Sequence, residues 1–398
     1  MNGNSKQKVL LVHNFYLIGG GEHTVFQNEK NLLLGNGHQV IEYTRNNKEI
    51  SESSIKKICL PFSTVFSIKT YREVVKIIKN QNIEVVHCHN TFPLISPSVY
   101  YAALHCKVPV VQTIHNFRFL CPCGILYRNG AICEECITQG LHKSLKYGCY
   151  RNSKIGTFIV VLMLKVHRIL GTYNKISYIF LTNFNRNKFS SLLSSSNTNK
   201  YVKPNFVDFP KQVRARKGID YDKFVFISRL EESKGVNFLI SAWKNLEGKK
   251  LVIYGDGPLT DYVKDAVAEN PSIIYRGFRP HDEIFEDLSC SAAMIFPSIL
   301  YEGFPMTLVE AFSMGVPVLC SSVGNGADIV ADAKGGICYE NGNVEDFEEK
   351  LIQISKESVN VELGRNAYQA FVDKYSPEKN YEILKNIYDE VSSNARRD

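Results

Sequence analysis

The sequence predicts an α/β protein of two domains, each a parallel sheet with helices on its faces, and three observations carry that expectation. Short apolar runs alternate with helix-length segments along the chain, the rhythm of successive strand–helix–strand units. The charge balance turns over near residue 205: residues 1–205 hold 25 Lys and Arg against 9 Glu and no Asp, a net +16, whereas residues 206–398 hold 22 against 31, a net −9. Finally, 398 residues with 44% hydrophobic and 22% charged side chains is globular material long enough for two or three cores.

In the first half, Lys8–Asn14 reads as a short buried strand, followed by Gly19-Gly20-Gly21-Glu22 and a helical run from His23 to Leu34. Glycines between strand and helix let backbone N–H groups approach a phosphate, although the triplet equally suits a tight turn at positive φ. No Gly-Lys-Ser/Thr follows and the G-x-G-x-x-G spacing is missing, so it is not a Walker loop. Strands at Gln39–Thr44, Val85–Cys88 and Val108–Ile114 alternate with helices at Ile68–Ile78 and Ser98–Cys106, giving a Rossmann-like half. The last of these strands delivers His115 and Asn116 to the carboxyl edge of the sheet, where open α/β folds bind ligands.

Residues 117–150 form a cysteine-rich insertion with Cys121-Pro-Cys123, Cys133-Glu-Glu-Cys136 and Cys149. One C-x2-C knuckle with two distant partners resembles a zinc set, for which Cys121, Cys133, Cys136 and Cys149 are the preferred four; a redox centre and unmetallated thiols are the alternatives. The apolar segment Gly156–Tyr173, with Lys154, Lys165, His167 and Arg168, reads either as a basic helix on an anionic bilayer or as a core helix. Apolar residues around most of its circumference favour the core. A strand at Ser177–Thr182, a helix at Asn183–Leu193 and a Ser/Asn-rich loop lead to Tyr201–Asp208, where the domain boundary falls.

The second half repeats the pattern, with strands at Lys223–Ser228, Lys250–Tyr254, Ile273–Arg276, Ala293–Phe296 and Val316–Cys320. Its first strand ends in Arg229-Leu-Glu-Glu-Ser-Lys234, and two cations beside a helix N-terminus suit a departing diphosphate. Surface pairing with Glu231 and Glu232 is the plainer alternative. The strand ending at Phe296 runs into Glu302-Gly303-Phe304-Pro305, and Pro305 sits where a helix begins, to stop at Gly315. Glu302 ahead of that helix and Glu310 two turns inside it are expected to face one N-terminal end, a natural phosphate pocket; a helix-initiating acid and a solvated acid are the alternative. Asp220-Tyr-Asp222 reads as a turn ahead of a strand, and the glycine-free Ser376–Val391 as a long helix.

Arg229…Lys234, Tyr254-Gly-Asp-Gly-Pro258, Gly277-Phe-Arg-Pro280 and Glu302-Gly-Phe-Pro-x4-Glu310 together resemble the donor half of GT-B glycosyltransferases of family 4, a retaining family. The resemblance extends from Gly19–Gly21 to the last helix. The order Cys121-Pro-x-Gly-x-Leu-Tyr-Arg…Cys133-Glu-x-Cys136 also resembles members acting in bacterial surface polysaccharide assembly, with Cys123 additional to that pattern. The resemblance implies two Rossmann-like domains facing across a cleft: residues 1–205 for the acceptor, 206–375 for the nucleotide sugar, and 376–398 as a helix crossing back. It implies that Arg229 and Lys234 hold the donor diphosphate with backbone N–H groups of Gly20, Gly21 and the helix after Gly303 and Phe304. Glu310 would take the ribose hydroxyls, Arg279 and Pro280 would flank the base, and Glu302 and His115 would bind the transferred sugar. Catalysis would need no metal or other cofactor, leaving zinc a structural role. The expected partners are a nucleotide-diphosphate sugar and a lipid-linked glycan, a polyprenyl diphosphate being the acceptor's carrier.

The longest apolar run, Phe158–Leu164, is too short to span a bilayer, and Met1–Lys8 lacks the apolar core of a signal peptide. The expectation is a cytoplasmic protein held peripherally at the inner face of the plasma membrane, the basic half supplying the attraction. Nucleic acid is the other anionic partner a basic half suits, but no aromatic-interleaved basic motif supports it. The competing functions are a soluble GT-B sugar transferase or epimerase acting on a small acceptor, and a non-catalytic zinc or redox scaffold. Intact Arg229, Lys234, Glu302 and Glu310 argue against the scaffold.

Overall fold

A computed structural model of the chain describes residues 6–17, 19–51, 54–195, 198–208, 216 and 218–395. The chain divides into two compact units. One comprises Met1–Leu126, Cys133–Asn205 and Asn380–Asp398; the other comprises Tyr127–Ile132 and Phe206–Lys379.

The first unit is built on β1 (Lys8–Phe15), β2 (Gln39–Asn46), β3 (Val85–Asn90) and β4 (Val110–Ile114); after the small hairpin β5 (Tyr127–Arg128) and β6 (Ala131–Ile132) come β7 (Ser177–Phe180) and β8 (Lys200–Val202). Its sheet has the order β2-β1-β3-β4-β7-β8, parallel throughout. Val9, Leu10, Leu11 and Val12 are all fully buried, the unbroken apolar run of a strand covered on both faces. One cover is the helix Pro377–Ala395, whose Leu384, Ile387, Tyr388 and Val391 share a core with Val9, Leu11, Val85, Val111 and Ile179. Strand order reverses between β1 and β3, so the crevice beyond their carboxyl ends is where an open sheet receives its ligand. His13 and Asn14 of β1 and His89 and Asn90 of β3 stand at that end.

The second unit carries β9 (Asp220–Ile227), β10 (Lys250–Tyr254), β11 (Ile273–Gly277), β12 (Ser291–Phe296), β13 (Val318–Ser321) and β14 (Gly336–Tyr339) in the parallel order β11-β10-β9-β12-β13-β14. Alternation along β9 sends Phe224 and Phe226 into one core and Val225 into the other. Here the reversal lies between β9 and β12. Asp220-Tyr-Asp222 opens β9 instead of forming a turn: the N–H of Asp220 donates to Cys290 at 2.9 Å, and Lys249 and Lys250 engage the two carboxylates.

The helix Lys154–Ile169, capped by Ser153, buries one face of the apolar segment and exposes the other. Thr157, Val160, Val161, Met163, Leu164 and His167 are buried, whereas Ile155, Phe158, Leu162 and Ile169 are 77%, 54%, 41% and 84% exposed on the outer face. Lys154 and Lys165 are exposed too, but Arg168 turns inward and donates to the carbonyl of Phe119 at 2.6 Å.

Candidate active site

In the second unit the loops after β9 and β12 meet at the reversal of strand order. Lys234 ends a 3₁₀ turn, and Gly235, at φ +75°, leads into the helix Val236–Trp243. A Cβ on Gly235 would lie 1.9 Å from the carbonyl oxygen of Pro297, so a glycine is what lets the two loops touch. The N–H of Ile299 donates to the carbonyl of Ser233 at 3.0 Å, and Ser298 Oγ lies 3.4 Å from the same oxygen. This latch brings Lys234 Nζ to 2.6 Å from Glu302 Oε1, which also accepts from Ser298 Oγ at 2.9 Å. With 21% and 14% of their side chains exposed, the pair is partly dehydrated. The buried Asn325 donates to the carbonyls of Glu302 and Gly303, fixing the chain just before Pro305 caps the helix Met306–Ser313. Arg229 does not join this pair. Its Nε lies 3.5 Å from Glu231 and its side chain is 60% exposed.

Glu310 is the fifth residue of Met306–Ser313, one turn in where two were expected. Burial raises its pKa, and His281, the first residue of the helix His281–Ser289, opposes the rise. The two glutamates therefore have different surroundings, Glu302 bonded to Lys234 and Ser298, Glu310 governed chiefly by burial. Pro280 caps the His281 helix, and Arg279 donates from Nε to the carbonyl of Arg276 at 3.0 Å.

In the first unit, Gly20 caps the helix Gly21–Gly35 with an extended backbone at φ −150°, and a Cβ there would meet nothing within 4 Å. Neither a positive φ nor crowding among the described residues therefore requires glycine at this position. Glu22 follows in the first turn, its Oε1 3.9 Å from His13 Nδ1, and neither atom has a hydrogen-bond partner among the described residues. Burial pushes Glu22 up to about 8 against the pull of Arg118 and Asn116. Burial also takes His13 down to about 3, with His89 and His23 adding to the effect. His115 lies end to end with His89, the ring planes 19° apart and the centroids 5.1 Å apart, Nε2 lying 3.0 Å from His89 Nδ1. Both rings line a cavity together with Asn90, Asn116, Arg118 and Tyr173.

Residues 18–132 match the family model described as Glycosyltransferase Family 4, and residues 207–370 match Glycosyl transferases group 1. Both units are glycosyltransferase domains. An uncharacterized glycosyltransferase of Methanocaldococcus jannaschii is 31% identical over 176 residues, 44% of this chain and 49% of the relative, so the chain spans about half the length of that protein. A UDP-Gal:alpha-D-GlcNAc-diphosphoundecaprenol alpha-1,3-galactosyltransferase of Escherichia coli is 23% identical over 356 residues, 84% of this chain and 82% of the relative. Among solved structures, Anabaena HepE in complex with UDP superposes with a TM-score of 0.65 at 15% identity, covering 96% of this chain and 100% of HepE. At that identity the likeness shows the fold, which is GT-B.

Within these glycosyltransferase domains, sequence reasoning missed Ser298, Asn325, His281 and Glu22. Asn325 lies between Gly324 and Gly326 just after β13, and a Cβ on Gly326 would press on Phe296 at 2.8 Å, so the glycine pair marked a close approach. In the cysteine segment, Cys121 Sγ is 3.4 Å from Cys123 Sγ. Hydrogen bonds to Cys123 and Cys136 push the Cys121 thiol up. The sulfurs described as interacting thus include Cys123, which lies outside the preferred four. Among the described residues, the metal-type donor atoms that all fall within 4.8 Å of one another belong to Glu29, His87 and His89, not to the cysteines.

Proposed function

We propose that the chain transfers a hexose or N-acetylhexosamine, with retention at the anomeric carbon, from a nucleoside-diphosphate sugar to a polyprenyl-diphosphate-linked glycan in bacterial surface polysaccharide assembly. The observation that carries this reading is the Lys234–Glu302 pair at the strand-order reversal of the second sheet. Breaking the bond from the anomeric carbon to the diphosphate oxygen leaves an oxocarbenium-like carbon beside a developing dianion, and stabilising the dianion is the main catalytic task. Lys234 would move its charge from Glu302 to that dianion, assisted by Arg229 and by N–H groups of Gly20, Gly21 and the helix after Gly303 and Phe304. Released, Glu302 would accept hydroxyls of the sugar. Glu310 would take the ribose and Arg279-Pro280 the base, with His115 binding the transferred sugar. Lys234, Arg229 and helix N-termini would then meet the diphosphate charge with no divalent metal.

Support for the donor and acceptor classes comes from the relatives: one is named for UDP-Gal and a diphosphoundecaprenol-linked sugar, and HepE holds UDP. No helix among the described residues is long and apolar enough to cross a membrane. The outer face of Lys154–Ile169 would instead rest on the cytoplasmic leaflet, where such an acceptor resides. A structural zinc on the cysteine segment is a separate part of the reading, checked by elemental analysis of the purified protein. The function is tested by mass spectrometry of products formed from a panel of nucleotide sugars with a polyprenyl-diphosphate-linked acceptor, in EDTA. A glycosylated acceptor is the expected result; no product from any donor, or activity only with magnesium or manganese, counts against it.

A further inference from the structure

The first unit encloses a polar network that the transfer reaction leaves unexplained. Glu29 and Lys203 are 0% and 1% exposed, and Lys203 Nζ donates to Glu29 Oε2 at 2.7 Å and to Asn380 Oδ1 at 3.0 Å. Around the other carboxylate oxygen, Oε1, stand His87 Nδ1 at 3.0 Å and His89 Nε2 at 3.1 Å. His87 Nε2 faces Thr113 Oγ1 at 2.7 Å, and His89 Nδ1 faces His115 Nε2 at 3.0 Å. A carboxylate with two imidazoles suggests a metal site, yet the ammonium of Lys203 already occupies the carboxylate, and a dication beside it would be repelled. The network reads instead as a fixed line of protons.

Charge decides how those protons lie. One buried carboxylate and one buried ammonium cancel, so a further proton on His87, His89 or His115 would leave an uncompensated cation away from water. Burial accordingly lowers His87 to about 4 and holds His115 well below its ordinary value. Glu29 is held well below the carboxylate range: burial alone would raise it, but Lys203, His87 and His89 outweigh that. With each imidazole neutral, each has one N–H to place. If His89 carried its proton on Nδ1, its bare Nε2 would face the Glu29 carboxylate, lone pair against lone pair. The proton therefore sits on Nε2, and His89 Nδ1 must accept from His115 Nε2–H.

We propose that His89, held by the Glu29–Lys203 pair, is a positioning residue that locks His115 in its Nε2–H tautomer, leaving Nδ1 as a standing acceptor for a ligand hydroxyl. His115 Nδ1 makes no hydrogen bond among the described residues, and the ring lines the cavity at the carboxyl end of β4. On the function proposed above, the hydroxyl belongs to the transferred sugar; the tautomer lock itself stands without that function. An acceptor there favours a donor presenting O–H over one in which that group is methylated or replaced by hydrogen.

The test is long-range proton–nitrogen NMR of the ligand-free full chain labelled with ¹⁵N-histidine, His115→Gln identifying the signals. The expected wild-type spectrum has His115 Nε2 protonated and Nδ1 bare from pH 6 to 8, without titration. His89→Phe keeps an aromatic ring but removes the acceptor and leaves Glu29 paired with Lys203; His115 should then show averaged tautomers within that range. A proton on Nδ1 in the wild type overturns the lock even if the variant fails to fold, and so does an unchanged His115 spectrum in a folded His89→Phe. Because no substrate is used, failure of the transfer assay leaves this outcome untouched, and the reverse holds too.

Discussion

Lys234 and Glu302, 68 positions apart in sequence, are bonded to each other at 2.6 Å across the meeting point of two loops. A cation read as a phosphate ligand and an anion read as a sugar ligand are thus each other's partner before any ligand arrives. Such a pair keeps both groups ordered and lets an incoming diphosphate exchange one anion for another on the same ammonium. Lys234→Ala removes the charge altogether, so turnover should fall by about a hundredfold or more while the fold persists, because a partly exposed pair contributes little stability. Arg229, exposed and tethered to Glu231, must swing to reach a phosphate, and Arg229→Ala should also slow turnover. Unaltered steady-state rates in both variants would remove the diphosphate assignment.

Glu302 and Glu310 are separable because their surroundings differ. Glu302→Gln should impair transfer while nucleoside diphosphate affinity stays within about threefold of wild type, since its proposed partner is the sugar. Glu310→Ala should weaken nucleotide binding by about tenfold, the worth of one hydrogen bond to a charged group. Isothermal titration with UDP and the other nucleoside diphosphates reads both; the opposite ranking would exchange the two roles.

Gly235 is a structural condition for the pair. Alanine there would meet the Pro297 carbonyl and also pay for a left-handed backbone, so Gly235→Ala should lose about 2–3 kcal/mol in urea denaturation. It should lower turnover as well by moving Lys234 off Glu302. A variant with wild-type stability and rate would show that the loops have room that the geometry denies.

Most of the fold was legible because its strands are buried on both faces and punctuated by glycine, as Lys8–Phe15 and Lys250–Tyr254 show. The strands that escaped notice, β5, β6, β8 and β14, are two to four residues long and for the most part not buried. β14 opens with Gly336, where a Cβ would strike the Val318 carbonyl at 2.0 Å; the glycine that permits the pairing also disguises the strand. In the site, charge patterns revealed the candidate cations and acids but not who pairs with whom, since Lys234 meets Glu302 only because β9 and β12, distant in sequence, are neighbours in the sheet. The Glu29–Lys203–His89 line was hidden for the same reason: its members come from a helix, a loop after β8 and a strand, with sequence spacing that follows no motif.

Glu22 offers a pH test. Its folded-state pKa of about 8 stands above the ordinary 4.5, so the folded protein holds a proton that the unfolded chain releases between those values. The stability this gives is fully present below pH 4.5 and is lost as pH rises through 8. Glu22→Gln, neutral at every pH, should therefore match wild type near pH 4 and become progressively the more stable of the two toward pH 8. The difference should grow by at most about 1.4 kcal/mol per pH unit. Parallel stability curves from urea denaturation at pH 4 to 8 would mean that Glu22 is ionised in the folded state.

Membrane attachment is expected to rest on the outer face of Lys154–Ile169. Ile155, Phe158, Leu162 and Ile169 recur there at helical spacing with Lys154 and Lys165 among them, a face that water alone does not favour. Each basic residue near an anionic leaflet contributes about 1 kcal/mol, and shallow burial of the four apolar side chains adds to it, so binding should be reversible and weakened by salt. Arg168 takes no part, because its guanidinium is spent on the Phe119 carbonyl. Flotation separates the contributions: wild type should rise with anionic vesicles and much less with neutral ones. Changing Lys154 and Lys165 to Gln should reduce recovery on anionic vesicles, and changing Ile155, Phe158, Leu162 and Ile169 to Ser should abolish it while the melting temperature stays near that of wild type, since none of the four is buried. Equal recovery of all three proteins would assign the exposed face some other cover, and the lipid-linked acceptor would then rest on the relatives' names alone.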